Sequence, residues 1–190
     1  MTRLLAVPLL AIFLTACEPT SPLMTEADTA AVEAASASAG CDAEINEDWN
    51  GFATEALTFG PTCPNAVAAL VVRTPQGTPL LAWSSPAMHI FGLKDAADRQ
   101  AMEIALSQWI RQDNQMFDTT ADLPEWADGA RGPGGEFPFM PEEWIDRSTY
   151  QAMRTEDVPL FSFPQGMESL AVYLLRDGQL EPIGIQTFPG

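Results

Sequence analysis

A short apolar run near the N-terminus limits which part of this chain can fold as a globular domain. Residues 4–16 are almost entirely apolar and follow the basic residue Arg3, which is the pattern of a secretory signal segment. The run is shorter than the roughly 20 apolar residues that a membrane-spanning helix needs, and Pro8 within it disfavours a permanent helix. We therefore expect residues 1–16 to be removed on export and the fold to be built from the rest of the chain.

The apolar run ends in Leu14, Thr15, Ala16 and Cys17. These residues resemble the lipobox of bacterial lipoproteins, in which a Leu stands three residues before a Cys and small residues lie between them. The resemblance implies cleavage before Cys17, a thioether-linked diacylglycerol on its sulfur and, in many bacteria, a further acyl chain on the new amino group. Glu18 follows the Cys, where Asp would resemble an inner-membrane retention signal, so the resemblance favours the outer membrane with the domain in the periplasm. The alternative is an ordinary secretory signal with a chance Cys.

The segment after the lipobox is predicted to be a tether. Residues 17–40 are rich in Ala, Ser, Thr, Pro and Glu, and their only large apolar side chains are Leu23, Met24 and Val32. This composition cannot bury enough apolar surface to offset the entropy of ordering the chain. We predict a disordered tether that holds the folded part away from the bilayer.

Composition indicates one acidic globular domain over residues 41–190. That length suits a single domain with its own core, and 46% of the chain is hydrophobic. The chain carries 26 acidic against 9 basic groups, for a formal net charge of −17. Such a surface repels nucleic-acid phosphates and anionic lipid headgroups. We therefore predict no nucleic-acid partner, and membrane association through the lipid anchor.

The remaining cysteines form a natural pair. With Cys17 assigned to lipid, only Cys41 and Cys63 are left in an oxidising compartment. We predict a disulfide between them, which would pin the N-terminal segment of the domain against the start of the first strand.

Apolar spacing predicts an α+β fold. Helical spacing predicts three helices, over residues 42–57, 93–112 and 141–153. Five apolar runs predict strands, over residues 66–73, 79–83, 158–163, 170–175 and 180–188. Pro159 and Pro182 place the third and fifth of these strands at sheet edges. Because short turns pair strands antiparallel, we predict two layers: an antiparallel sheet of about five strands with the helices on one face.

Candidates for catalysis and metal binding are few. A Ser-His-Asp triad would have to use His89, the single histidine, with Ser84 or Ser85; the alternative is a partly buried structural histidine. A loop rich in carboxylates lacks the spacing of an EF-hand and is predicted to be solvated; its acids are Asp113, Asp118, Asp122, Glu125 and Asp128. Paired acids such as Glu136 and Glu142 would suit a small envelope hydrolase. We predict no catalytic residue, metal or cofactor, and keep the hydrolase as an alternative.

The most distinctive feature of the domain is an aromatic cluster around a Gly- and Pro-rich loop. It comprises Trp126, Phe137, Phe139, Met140 and Trp144. Exposed aromatic and Met side chains are enriched at interfaces, and aromatic rings beside carboxylates suit sugars. The sequence therefore predicts a non-catalytic envelope lipoprotein that binds a protein or glycan through residues 124–144. The alternatives are that these rings fold back onto the core, or that the domain is a structural spacer.

Overall fold

The computed structural model describes residues 40–188 except 112–116, 127, 129–131 and 134–137. The predicted signal segment, Cys17 and almost all of the predicted tether lie outside the described residues. By its contacts the chain divides into Met1–Ser38 and Ala39–Gly190, and the described residues all belong to the second unit. None of the described helices is long and apolar enough to cross a membrane.

The described residues form eight strands and two α-helices. The strands are β1 (Ala43–Trp49), β2 (Phe52–Phe59), β3 (Val67–Arg73), β4 (Pro79–Pro86), β5 (Phe139–Pro141), β6 (Leu160–Pro164), β7 (Ser169–Arg176) and β8 (Gln179–Thr187). The helices are α1 (Arg99–Ile110), between β4 and β5, and α2 (Arg147–Glu156), between β5 and β6.

The first sheet is an antiparallel meander in the order β1-β2-β3-β4. Its β3–β4 hairpin confirms one sequence prediction, but the helix predicted over residues 42–57 is wrong, because this segment forms the β1–β2 hairpin. The turn lies at Asn50 and Gly51, whose φ angles are 50° and 82°. Two successive positive φ angles are what a type I′ hairpin turn requires, and Asn-Gly is its preferred sequence. Ile45 and Trp49 misled the prediction because residues four apart share a face of a strand as well as of a helix.

The second sheet is also antiparallel, in the order β5-β8-β7-β6. The edge position predicted for the strand after Pro159 is confirmed in β6, whereas β8 lies between β5 and β7 and is not an edge. Pro182 is tolerated there because β5 pairs only with residues 184–186 of β8, so no neighbour on that side needs the missing N–H at Pro182. A Cβ added at Gly184 would lie 2.4 Å from the backbone oxygen of Met140. Glycine is therefore required where β5 approaches β8.

One core joins the first sheet, α1 and one face of the second sheet. α1 packs against β1 and β2, and the fully buried Ala56 of β2 and Ala68 of β3 lie in the same core cluster as the apolar side chains of the helix. Leu106 of α1 packs in the same cluster as Phe161 and Phe163 of β6. The helix therefore adds its apolar stripe to an interior that both sheets share.

A second core lies on the other face of the second sheet. Since neighbouring strand residues point to opposite faces, Leu160 enters this second core while Phe161 enters the first. Tyr150 of α2 is fully buried here, and its hydroxyl donates to the carbonyl oxygen of Pro124 at 2.9 Å. Burial raises the pKa of Tyr150 far above its usual range. α2 and the segment around Pro124 therefore cover this face.

Both helices begin later than the apolar pattern predicted. α1 lies within the predicted residues 93–112 but starts after Asp98, whose carboxylate accepts from the amide of Ala101 at 2.9 Å. α2 starts after Asp146, whose carboxylate accepts from the amide of Thr149 at 2.8 Å, and not at Pro141, which belongs to β5. The Asp caps satisfy N–H groups that have no partner within a helix, and they set both starting points.

The α+β class with antiparallel pairing is confirmed, but the predicted single sheet is not what is observed. The described residues form two sheets of four strands in place of one sheet of about five strands with helices on one face. β1, β2 and the short β5 had not been predicted, and they complete the two sheets. α1 packs on the first sheet, and the side chains of α2 lie in the core on the outer face of the second.

The disulfide between Cys41 and Cys63 is confirmed, with a Cα–Cα distance of 4.8 Å. It ties Cys41, two residues before β1, to Cys63 in the short turn between β2 and β3. The amide of Cys41 also donates to the carbonyl oxygen of Gly60 at 2.8 Å. The bridge therefore closes the open end of the β1–β2 hairpin.

Candidate apolar binding groove

A groove of about 810 Å³ opens where three parts of the fold meet. These parts are the C-terminal end of α1, the turn after β4 and the turn between β6 and β7. The volume lies within the range of about 300–1,000 Å³ that is usual for small-molecule sites. The residues that line the groove include Phe91, Trp109, Arg111, Met167, Ser169 and Phe188.

Backbone hydrogen bonds hold the walls of the groove together. The amide of Phe91 donates to the carbonyl oxygen of Gly166 at 3.1 Å, which ties the turn after β4 to the β6–β7 turn. The amide of Phe188 donates to the carbonyl oxygen of Glu168 at 2.9 Å, which ties the end of the described chain to the same turn. A groove whose walls are already fixed loses little conformational entropy when a ligand binds.

Trp109 forms the base of the groove. Only 5% of this residue is exposed, and its Nε1 donates to the carbonyl oxygen of Pro164 at 2.8 Å. Its ring contacts those of Trp83 and Phe163 at centroid distances of 5.9 and 6.1 Å. Phe163 in turn stacks on Tyr173 at a centroid distance of 6.0 Å, and burial raises the pKa of Tyr173. The base is therefore a rigid aromatic cluster with its indole donor already satisfied.

Large apolar side chains are exposed at the rim. Phe91 is 62% exposed and Met167 is 41% exposed, and both line the groove. Met88, on the same turn as Phe91, is 54% exposed. Soluble proteins rarely expose apolar groups together unless the surface binds something, and Met adapts to irregular apolar partners.

The charge of the groove differs from that of the chain as a whole. The full sequence has 26 acidic residues, yet no Asp or Glu is among the described residues that line the groove. The single charged residue among them is Arg111, which directly follows α1. Among the described lining residues there is also no His, Lys or Cys.

The aromatic residues predicted to bind a partner differ in how far they are exposed. Trp126 is partly buried, with its ring centroid 5.6 Å from that of Tyr150. Phe139 is 2% exposed and lies in the second core, so its assignment to a binding surface is corrected. Trp144 is 54% exposed, and Phe137 lies outside the described residues.

The serine-hydrolase candidate finds no supporting geometry. Ser84 and Ser85 lie on β4. Within the described part of the chain, neither serine is hydrogen-bonded to His89. His89 is exposed, and not partly buried as its apolar neighbours suggested. It therefore lacks the partner that would orient a catalytic imidazole.

The carboxylates of the acidic loop bind other parts of the protein. Asp122 accepts from two backbone amides at 3.0 Å each and caps the turn at residues 120–122. Glu125 pairs with Arg154 at 3.8 Å and Asp128 with Arg147 at 2.6 Å; the Arg147 guanidinium holds the pKa of Asp128 below its usual range. Among the described residues, no three His, Cys, Asp or Glu side chains lie close enough to hold a metal ion. Two acids singled out from the sequence lie outside those residues, Asp113 and Glu136.

The groove itself was missed from the sequence. Its residues come from separate segments, and each segment contributes one or two apolar side chains. The available local signal was a large apolar residue beside a turn glycine, as in Phe91-Gly92 and Gly166-Met167. Such pairs are common, so the signal gains meaning only when the fold brings them together.

Comparisons of the chain with protein-family models, with curated proteins and with solved structures gave no match. A function for this chain is therefore inferred from the geometry, burial and charge of the described residues, together with the N-terminal pattern.

Proposed function

We propose that this protein is an exported, lipid-anchored protein of the bacterial cell envelope, and that its folded domain is a non-catalytic binding module. The groove between α1 and the β6–β7 turn takes an apolar group of the ligand. One observation carries this proposal: a preformed groove of about 810 Å³ lined mainly by apolar side chains and, among the described residues, by no Asp or Glu, in a chain of net charge −17.

Burial and fixed walls support the groove as the primary site. Phe91 and Met167 offer exposed apolar surface at the rim, and Trp109 offers a fixed aromatic base. Transferring an apolar group onto such surfaces contributes about 25 cal/mol for each Å² removed from water. The backbone bonds that tie the walls limit the entropic cost of binding.

A second surface, at Met140 and Trp144, supports part of the binding hypothesis drawn from the sequence. Trp144 and Met140 are 54% and 50% exposed and lie on or just after β5. Glu142 and Glu143 stand between them. An aromatic ring beside carboxylates suits contact with a protein or glycan partner, and we assign this secondary role to Trp144.

The alternative of a small envelope hydrolase has less support. Such an enzyme needs two carboxyl groups that face one cleft with separated pKa values. The described groove-lining residues include no carboxylate, while Glu125 and Asp128 are engaged with arginines. We therefore assign binding, and not bond cleavage, to the groove.

The lipid anchor is tested by intact mass. Full-length protein extracted from the membrane fraction should begin at Cys17 and carry the mass of a diacylglycerol, with or without a further acyl chain. The Cys17→Ala variant should lack this mass and leave the membrane fraction. Native protein that keeps an unmodified amino terminus at Met1 would overturn the anchoring proposal.

The groove is tested with a small apolar aryl diazirine that labels the surfaces it contacts after irradiation. The full-length protein is placed in phosphatidylcholine nanodiscs, and labelled residues are mapped by mass spectrometry. Phe91→Ser should reduce labelling of Trp109 and Met167 about fivefold, since it removes much of the rim contact. Phe59→Ser is the matched control, because Phe59 is 50% exposed and does not line the groove. Equal labelling in both variants would argue against the groove as a binding site.

A further inference from the structure

Resting on the proposed lipid anchor, we infer that one end of the first sheet docks on the phospholipid bilayer that holds the anchor. The docking surface comprises Phe59, Val67, Pro86 and Met88. Three observations support the bilayer as its partner. The side chains are exposed together, they lie where the predicted tether joins the domain, and the stretch of chain that forms the surface carries no acidic residue.

Three of these residues form one row across the outer face of the first sheet. Val67 of β3 pairs with Phe59 of β2 on one side and with Pro86 of β4 on the other, and directly paired residues share a face of a sheet. The next residue, Ala68, is fully buried in the first core, so the row points away from that core. Phe59 is 50% exposed and Val67 is 42% exposed.

Met88 extends this row past the end of β4. It is 54% exposed and lies in the short turn that follows the strand. The amide of Ala87 donates to the carbonyl oxygen of Ala66 at 2.9 Å, which ties this turn to the one between β2 and β3. A Cβ added at Gly60 would lie 2.6 Å from the Cα of Ala66, so the β2–β3 turn is closely packed. Backbone contacts therefore hold the docking surface in place, and its binding needs little ordering.

The predicted tether joins the domain beside this surface. The amide of Cys41 donates to the carbonyl oxygen of Gly60, which directly follows Phe59, and the disulfide to Cys63 fixes the same point. Residues 17–40 connect the proposed lipid to this point. A flexible segment of about 23 residues has a root-mean-square length of about 25–30 Å. The anchor would therefore hold the docking surface at a high effective concentration near the bilayer.

The stretch of chain that forms the docking surface contains no acidic residue. Residues 56–93 include no Asp or Glu, although the full sequence has 26. The one arginine in this stretch, Arg73, lies at the other end of β3 and pairs with Glu55 at 2.9 Å. One acid lies beside the surface, Asp42, whose Oδ1 accepts from the amide of Gly60 at 3.0 Å. An acidic protein is repelled by lipid phosphates, and a neutral apolar surface approaches them at lower electrostatic cost.

The exposed area favours a bilayer over a second copy of the domain. Four side chains of this size, each about half exposed, present on the order of 300 Å². A stable interface between proteins buries about 800 Å² on each partner. A tethered domain needs less area to dock on lipid, because the anchor has already brought it to the bilayer. Apolar side chains that enter the boundary between head groups and acyl chains then add to the hold of the anchor.

The experiment uses the full-length lipidated protein in phosphatidylcholine nanodiscs loaded at one copy per disc, which excludes a second copy as the partner. Part of the phosphatidylcholine carries a diazirine in its acyl chain, and mass spectrometry maps the residues labelled after irradiation. Labelling should concentrate on Phe59, Val67 and Met88. Trp144 and Ile104 are internal references, because they are 54% and 56% exposed and lie outside the docking surface.

The variants are Met88→Gln and its matched control Met140→Gln. Both exchange a half-exposed Met for a polar side chain of similar length, and Met140 is 50% exposed on β5. Met88→Gln should lower the labelling of Phe59 and Val67 about fivefold, because less apolar surface enters the lipid. Met140→Gln should change this labelling less than twofold. Unchanged far-ultraviolet circular dichroism establishes that each variant is folded.

Intact mass of the same samples separates docking from anchoring. Lipidated protein without labelling at the docking surface would overturn the docking and leave the anchor standing. Labelling spread equally over the reference residues, or reduced equally by Met88→Gln and Met140→Gln, would overturn the choice of this surface. Protein that lacks the lipid mass and does not stay in the nanodiscs would overturn the anchor and this inference together.

Discussion

The double variant Cys41→Ala, Cys63→Ala removes a covalent crosslink and leaves its surroundings in place. Both cysteines are buried, at 0% and 5% exposure, so alanine places no polar group in the core. The amide of Cys41 keeps its bond to Gly60, and its carbonyl oxygen keeps the 2.7 Å bond from the Thr58 hydroxyl. The change therefore tests mainly the crosslink.

The size of the effect depends on the length of the closed loop. The two cysteines are 22 residues apart. The chain-entropy model gives about 3 kcal/mol for a loop of about 15 residues and about 4.7 kcal/mol for one of about 100, so this bridge should contribute about 3.4 kcal/mol. In a domain of about 150 residues, 1 kcal/mol corresponds to a Tm change of about 2–4 °C, so Tm should fall by about 10 °C.

The assay is thermal unfolding of the full-length chain in phosphatidylcholine nanodiscs, followed by tryptophan fluorescence at several scan rates. Wild type reduced with dithiothreitol is the control and should unfold at nearly the same temperature as the double variant. A fall of less than about 3 °C would refute the loop-entropy reasoning. A large fall in the variant alone would assign the effect to lost packing of the sulfur atoms. Thiol titration of unreduced, unfolded protein should find no free thiol.

Three further substitutions test the local physics of the fold, each by thermal or denaturant unfolding. Asp146→Ala should lower Tm by about 3 °C, because the carboxylate caps α2. Hydrogen bonds from the first turn of α2 lower the pKa of Asp146 below its ordinary value of 3.8, so the charged cap stabilises the fold above that pH. The difference in Tm between variant and wild type should therefore close as the pH falls through the folded pKa. A difference that persists in acid would refute the charged cap. Gly184→Ala should lower the free energy of unfolding by about 3 kcal/mol, because an added Cβ would lie 2.4 Å from a backbone oxygen of β5. The control is Gly132→Ala, where nothing lies within 4 Å of the added Cβ. Equal effects of the two substitutions would contradict the clash. Trp109→Phe should lower the free energy of unfolding by about 2 kcal/mol, because it leaves the carbonyl oxygen of Pro164 without its donor. Unchanged stability would contradict this and mean that water replaces the indole N–H as the donor.

Sequence patterns predicted the elements whose periodicity has a single interpretation. The stripe of Met102, Leu106, Trp109 and Ile110 in α1 is buried as expected. The Asp177-Gly178 turn between β7 and β8 was also expected, and both residues have positive φ. The β1–β2 hairpin was missed because its apolar spacing of four fits helix and strand alike, although Asn50-Gly51 is the same kind of turn signal. Local turn chemistry was the better guide there than periodicity.

Exposure of individual aromatic residues depended on pairing that the sequence does not show. Phe139 and Trp144 are five positions apart, yet one is 2% exposed and the other 54%. The difference arises because Phe139 pairs with Gln186 of β8 and so faces the second core, whereas Trp144 follows the end of β5. The groove was not predicted for a related reason: Phe91 and Met167 are far apart in the sequence and both line the groove, where a long-range bond joins Phe91 to Gly166.

The distribution of charge links the anchor to the groove. A chain of net charge −17 is repelled by anionic headgroups, so electrostatic attraction cannot hold it at such a membrane, and a covalent lipid on Cys17 would overcome that repulsion. At physiological ionic strength the charge of the acidic surface is screened over about 8 Å. A ligand inside the groove is therefore affected mainly by the residues that line it, and among the described residues that line the groove there is no Asp or Glu.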